Sequence, residues 1–178
     1  PMLFQNTGGL QIQILETAKA LRKRGIEITL VNPITQRLNE FDLIHVFGAI
    51  NGNHRISEQA KAFGLPVAVS PLLQPHWTKS LGRRARFFEK LIGRATHWEI
   101  KTEFRHIESF LLNSDIIIAL GARERNSIES AFSIKPEKIR VIPNGVPQRF
   151  FQTTPNDFCL AYNLASGFIL CVGTISEY

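Results

Sequence analysis

At 178 residues, 44% of them hydrophobic and 20% charged, the chain is long enough for one good-sized core and too short for two complete domains. No apolar run reaches the ~18–20 residues of a membrane-spanning helix, and no basic-then-apolar leader opens the sequence. The net charge of +6 is concentrated in residues 79–105, where eight basic side chains stand against Glu89, Glu99 and Glu103, an excess that suits an anionic partner.

In chain order, residues 1–7 read as loop, and Gly8-Gly9 then opens a helix over 10–24. Leu10, Ile14, Ala18 and Leu21 share one face of that helix, and Gly25 stops it. The β-branched run 26–31 predicts a strand closed by Asn32-Pro33, and 42–47 (DLIHVF) a second, buried strand. Residues 53–63 predict a helix with Ile56, Ala60 and Phe63 inward, and 67–69 a short strand broken by Ser70-Pro71. Two helices follow, one with Leu81, Ala85, Phe88 and Leu91 as its core face, the other with Ile100, Phe104, Ile107 and Leu111. Their other faces carry the positive charge. Residues 116–120 predict a strand, 122–132 a helix and 139–142 a strand, followed by the turn Pro143-Asn144-Gly145. After a polar stretch at 152–157, residues 168–172 predict one more strand. Cys159 and Cys171 lack metal-type spacing and read as buried thiols of a reducing cytosol.

Short apolar strands alternating with helices predict an α/β fold, a Rossmann-like doubly wound parallel sheet. Ligands of such sheets bind at the strand carboxyl ends, near the reversal of strand order. The helix at residue 10 should follow a strand, yet residues 1–7 offer only the stub Met2-Leu3-Phe4, so the first strand is expected before Pro1.

Thr7-Gly8-Gly9-Leu10 stands where a helix begins. Free N–H groups and the helix dipole attract anions there, and glycine lets a phosphate approach the backbone. A tight turn that merely uses glycine is the plainer alternative. No Gly-Lys-Ser/Thr follows, so it is not a P-loop, and the third glycine of a dinucleotide fingerprint is absent.

The run from Gly8-Gly9 through LETAKALRKRGIEITLV resembles the opening of retaining, family-4-type glycosyltransferases with the two-domain GT-B fold. NSDIIIALGARERNSIE resembles the last strand–helix unit of their N-terminal acceptor-side domain, and KIRVIPNGVPQRF their interdomain signature. FILCVGTISEY resembles the first strand and loop of the donor-binding domain. The resemblance implies an acceptor-side domain over 1–150 and, over 151–178, a linker and the start of a donor-binding domain. It implies transfer of a sugar from a UDP- or GDP-sugar, with retention and no bound metal or other cofactor, to a saccharide or lipid-linked acceptor in envelope or exopolysaccharide assembly. Three departures stand out: Pro147 replaces the acidic residue of the interdomain signature, Thr174 stands where the family often has arginine, and Ala119-Leu120-Gly121 lacks a serine common in relatives. The family's diphosphate-binding lysine and paired glutamates fall beyond Tyr178, so the chain alone is expected to be inactive.

The candidate substrate-binding residues are Gly8 and Gly9 through their amides, Arg123 at the cleft edge after strand 116–120, and His76 in the loop after strand 67–69. His76 is also the one catalytic candidate. A solvated helix-start arginine and an exposed loop histidine are the plainer readings. His45, inside a strand, reads as a hydrogen-bonded core residue, and Asn144 and Gly145 as the hinge. Helices 79–112, with Phe87, Phe88 and Trp98, suit an anionic membrane surface, or else form an ordinary solvated basic face. The expected location is cytoplasmic, peripheral at the inner face of the membrane. Two other classes compete. A nucleotide-sugar epimerase of similar build needs cleft carboxylates, whereas Asp42 and Asp115 both begin their strands. A nucleic-acid-binding module needs exposed aromatics for stacking, whereas most here fall at core spacing, so no nucleic-acid partner is expected.

Overall fold

The computed structural model describes residues 8–32, 34–74, 76–97, 100–152, 156–165 and 167–169. The expectations for Met2-Leu3-Phe4, Trp98, Cys171 and Thr174 fall outside them, as does most of the strand expected at 168–172. Two compact units divide between Asn144 and Gly145.

The first unit is α/β. Its strands β1 (Ile44–Phe47), β2 (Val67–Ser70), β3 (Ile116–Ala119) and β4 (Ile139–Val141) form an all-parallel sheet in the order β1-β2-β3-β4, flanked by helices in a Rossmann-like arrangement. The order is sequential, so the expected reversal is not found among the described strands. The helices are α1 (Gly9–Arg22), α2 (His54–Ala62), α3 (Lys79–Ala95), α4 (Glu103–Leu112) and α5 (Ala122–Phe132). No helix among the described residues is long and apolar enough to cross a membrane.

The register aligns Ile44 with Val67, Val46 with Val69, Val69 with Ile117 and Ile117 with Ile139, which sets these side chains on one buried face. Against them pack Phe104, Ile107, Phe110 and Leu111 of α4 and Ile128, Ala131 and Phe132 of α5, a single core. On the opposite face His45, Phe47, Ala68 and Ile118 are only half-buried.

Three expectations need correction. Residues 26–32 form no strand. β-branched residues stabilise a strand through neighbours on a ladder, and no described strand pairs with this segment; instead the Arg22 guanidinium donates to the Ile28 carbonyl at 3.1 Å and 2.5 Å. On α2, Ala60 is buried and Ile56 half-buried as expected, but Phe63 is exposed and His54 and Ser57 point inward. The third concerns α3, which is rotated relative to its expected core face. Leu81, Phe88 and Leu91 lie outward at 40%, 57% and 56% exposure, and only Ala85 of that set packs on the core. The inward residues are Gly82, Glu89 and Gly93. Gly82 sits so close to α5 that a Cβ there would lie 2.2 Å from the Ala131 carbonyl oxygen. Polar tethers hold the same rotation: Glu89 accepts from the Thr102 amide (3.2 Å) and hydroxyl, and Arg86 donates to Glu108 (2.9 Å) and to the Ala131 carbonyl (3.0 Å). α4 presents Phe104, Ile107 and Leu111 inward as its spacing predicts, while Ile100, just before it, is exposed.

At the amino ends of the strands, Asp115 joins three elements. Its carboxylate accepts from the Lys61 ammonium and the Val67 amide, each at 2.8 Å, and the Lys61 hydrogen bond holds its pKa below the ordinary carboxylate value. The stabilisation is therefore full above pH 3.8, the ordinary value, and is lost as pH falls below it through the lowered folded value. Both side chains of the ion pair are well exposed, so Asp115→Asn should cost only about 1 kcal/mol at neutral pH. Urea melts at pH 7 and at steps below pH 3.8 should show that difference and its progressive shrinkage.

The second unit contains α6 (Asn156–Tyr162), whose Phe158 ring lies 4.7 Å from that of Tyr162 and 6.0 Å from that of Phe168. Cys159 on α6 is a half-buried free thiol.

Candidate functional site

The carboxyl ends of β1, β2 and β3 lead into Gly48, Pro71 and Leu120-Gly121. Gly48 is buried at φ +81°, a left-handed conformation that glycine adopts without strain. Asn53 locks this turn by donating Nδ2 to the carbonyls of Phe47 and Gly48, both at 2.9 Å. A Cβ on Gly48 would lie 3.9 Å from Leu10 Cδ2, so the start of α1 stands beside the carboxyl end of β1.

Helix α1 starts from Gly8 in extended conformation with no side-chain cap, and its first intrahelical bond runs from Ile12 N–H to the Gly8 carbonyl (3.2 Å). The amides of Gly9, Leu10 and Gln11 thus precede the helical ladder. Gly8 and Gly9 are exposed, with open space beside each Cα. Helix α5 repeats the arrangement after β3. Gly121 is extended and offers no side-chain cap, space is open beside it, and the first bond is Arg125 N–H to the Gly121 carbonyl (3.0 Å). Two glycine-started helices therefore present amides and the positive ends of their dipoles at the carboxyl edge of one parallel sheet.

Arg123, in the first turn of α5, is exposed and forms no ion pair among the described residues. His76 is exposed in the loop after β2. Its ring lies 5.2 Å from that of Trp77, and Trp77 anchors the loop against the rings of Phe104 (5.6 Å) and Phe132 (5.4 Å). Asn144 and Gly145, both exposed, follow β4 at the junction of the two units. The glycines, Arg123 and the loop bearing His76 share the strand-end edge of the sheet. No hydrogen bond or ring contact among the described residues joins them to one another. Shallow, open hollows lie elsewhere, along Arg83–Phe88 and beside Lys79 at the end of α5. Among the described residues no cluster of histidine, cysteine and carboxylate side chains could hold a metal ion.

Two residues at this edge carry more of the architecture than their sequence context suggests. One is Asn53. The other is Glu124, a buried carboxylate at the third position of α5, which accepts from the Leu73 amide (2.8 Å) in the loop after β2 and from the Leu120 amide (2.7 Å) after β3. A glutamate three residues after a helix cap, reaching back to backbone N–H groups, is the signal that could have found it. A carboxylate does, then, stand at a strand end, contrary to expectation. Both its oxygens are committed to backbone donors.

His45 is hydrogen-bonded as expected, but it lies half-buried on the sheet face opposite the core and not within it. Its Nε2 lies 2.9 Å from Ser70 Oγ, its ring stacks on Phe47 at 4.1 Å, and burial pushes its pKa down to about 4. His54, stacked on His106 at 4.2 Å, is also held below its ordinary value, first by burial and then by the neighbouring imidazole. Between the ordinary value of 6.5 and about 4, the unfolded chain binds a proton that folded His45 refuses. Stability should thus be full above pH 6.5 and fall as pH drops through that window, by about 3 kcal/mol for this residue. Urea melts across the window check it: His45→Gln should flatten the slope by roughly one proton's worth and leave the His54 part.

No family model, no curated protein and no solved structure matches this chain.

Proposed function

We propose that this chain is the acceptor-side domain of a retaining glycosyltransferase that takes a UDP- or GDP-sugar and transfers the sugar to a saccharide or lipid-linked acceptor on the cytoplasmic side of envelope assembly. The observation that carries the reading is the pair of uncapped glycine starts, Gly8-Gly9 and Gly121, both at the strand-end edge of the parallel sheet. A departing nucleoside diphosphate gathers negative charge, and fixed N–H dipoles with a nearby guanidinium stabilise it without reorganising. The Gly8-Gly9 amides and Arg123 supply that chemistry, His76 is the side chain placed to meet acceptor hydroxyls, and Asn144-Gly145 serves as the hinge. The order of the family-like segments along the sequence supports the same reading. An epimerase is disfavoured because Glu124, the carboxylate found at a strand end among the described residues, is buried and bound to two backbone amides, away from any substrate proton.

The test is transfer of labelled sugar from UDP- and GDP-sugars by the protein that carries this chain, with the anomeric configuration of the product read by NMR. Gly9→Val fills open space beside the amides and leaves the fold in place; Arg123→Ala removes the exposed cation. Each should lower kcat/KM about tenfold or more at unchanged Tm. Residues 1–178 alone should give little or no calorimetric heat with UDP or GDP. Tight binding by them, or no sugar transfer by the protein that carries them, sinks the reading.

A further inference from the structure

The outward face of α3 departs from the pattern of an ordinary surface helix. An ordinary surface helix buries its large apolar residues and shows its polar ones. Here the buried line is Gly82, Glu89 and Gly93, while Phe87 (63% exposed), Phe88, Leu91 and Leu81 face out. At 3.6 residues per turn, residues 83, 87 and 91 and residues 84, 88 and 91 form adjoining rows. Phe87, Phe88 and Leu91 therefore make one apolar strip with Arg84 among them, and Arg83, Lys90 and Arg94 along one flank. Arg83, Arg84, Phe87 and Phe88 line a shallow open hollow on this strip.

The rotation is fixed from behind. Gly82 lies against the Ala131 backbone, Glu89 is bound to Thr102, and Arg86 to Glu108 and Ala131, so the helix cannot roll its phenylalanines inward. The charge on the face is one-sided. Lys79, Arg83, Arg84, Lys90 and Arg94 make no ion pair among the described residues, and the helix's one acidic residue, Glu89, is buried. α4 takes no part: Phe104, Ile107, Phe110 and Leu111 are in the core, only the terminal Leu112 is exposed, and Arg105 is paired with Glu108.

We propose that α3 is a docking surface for an anionic lipid bilayer, lying parallel to the membrane with Phe87, Phe88, Leu81 and Leu91 among the headgroups and its arginines on lipid phosphates. A helix of this kind combines an apolar strip of limited depth with flanking cations. At 17 residues it is about 25 Å long, enough to rest on a surface and not a span. Bare leucines beside the phenylalanines favour lipid over nucleic acid, because bases stack on aromatic rings and not on aliphatic side chains. This inference stands apart from the transferase reading, and its test uses no sugar.

Purified protein is sedimented with phosphatidylcholine vesicles and with phosphatidylcholine–phosphatidylglycerol vesicles. It should pellet with the anionic vesicles only, and release as salt rises. Arg83→Ala with Arg84→Ala should weaken partitioning about twenty-fivefold, at roughly fivefold per cation. Phe87→Ser with Phe88→Ser should abolish it at unchanged net charge and unchanged circular dichroism. Phe87→Trp should shift to bluer emission on the anionic vesicles and be quenched by bromolipid. Overturning results are equal binding to both vesicle types, an unshifted tryptophan, or phenylalanine variants that bind as wild type. Tighter binding to a single-stranded oligonucleotide than to anionic vesicles, lost in the phenylalanine variant, overturns the lipid assignment in favour of nucleic acid.

Discussion

Glu124→Ala should lower the stability of the first unit by about 2–5 kcal/mol, the largest loss expected from any single side chain at the strand ends. The carboxylate accepts from two backbone amides in different loops, and alanine leaves both donors without that partner, the Leu73 amide buried and the Leu120 amide half-buried. An orphaned buried donor costs about 1–3 kcal/mol. Glu124→Gln keeps one carbonyl acceptor but turns an NH2 toward the other amide, so its cost should fall between wild type and alanine. Urea denaturation gives the energies, and hydrogen exchange should show the Leu73 and Leu120 amides losing protection first. If the alanine variant melts like wild type, Glu124 does not hold the two loops.

Gly82→Val should be comparably damaging, and Gly82→Ala nearly so, although alanine normally improves a helix by about 1 kcal/mol over glycine. Here the gain is outweighed. The added carbon would stand 2.2 Å from the Ala131 carbonyl oxygen and 2.9 Å from its Cα and carbonyl carbon, all backbone atoms that cannot rotate aside. The helices must separate, with loss of the Arg86 bond to the same carbonyl, and overpacking of this kind costs about 1–3 kcal/mol or more. Gly9→Ala, with open space beside it, is the control and should be near neutral. Thermal melts of the three variants would falsify the close-packing account if Gly82→Ala raised Tm.

These two positions also show what the sequence conceals. The four strands were legible because short, mostly apolar runs stand between turn residues, and α5 because Ile128, Ala131 and Phe132 fall on one face after Gly121. α3 was legible as a helix but not in its rotation. Periodicity weighs large apolar residues, whereas this helix is seated by Gly82, Gly93 and the polar grip of Glu89 and Arg86, which carry no hydrophobic signal. Residues 26–31 have strand composition, but a strand is completed by a neighbour the sequence does not name. At the candidate site, Gly8-Gly9 and Arg123 could be placed at helix starts from local spacing alone. The reach of Glu124 to Leu73 spans 51 positions and could not be.

The double hold on Ala131 has a mechanical consequence. α5 runs about 16 Å as a straight strut, one end fastened to the strand-end loops through Glu124 and the other clasped by Gly82 and Arg86 of α3. Neither joint has slack, since one is two short carboxylate bonds and the other backbone against side-chain-free backbone. α3 and the strand-end loops are therefore fastened to opposite ends of the same helix.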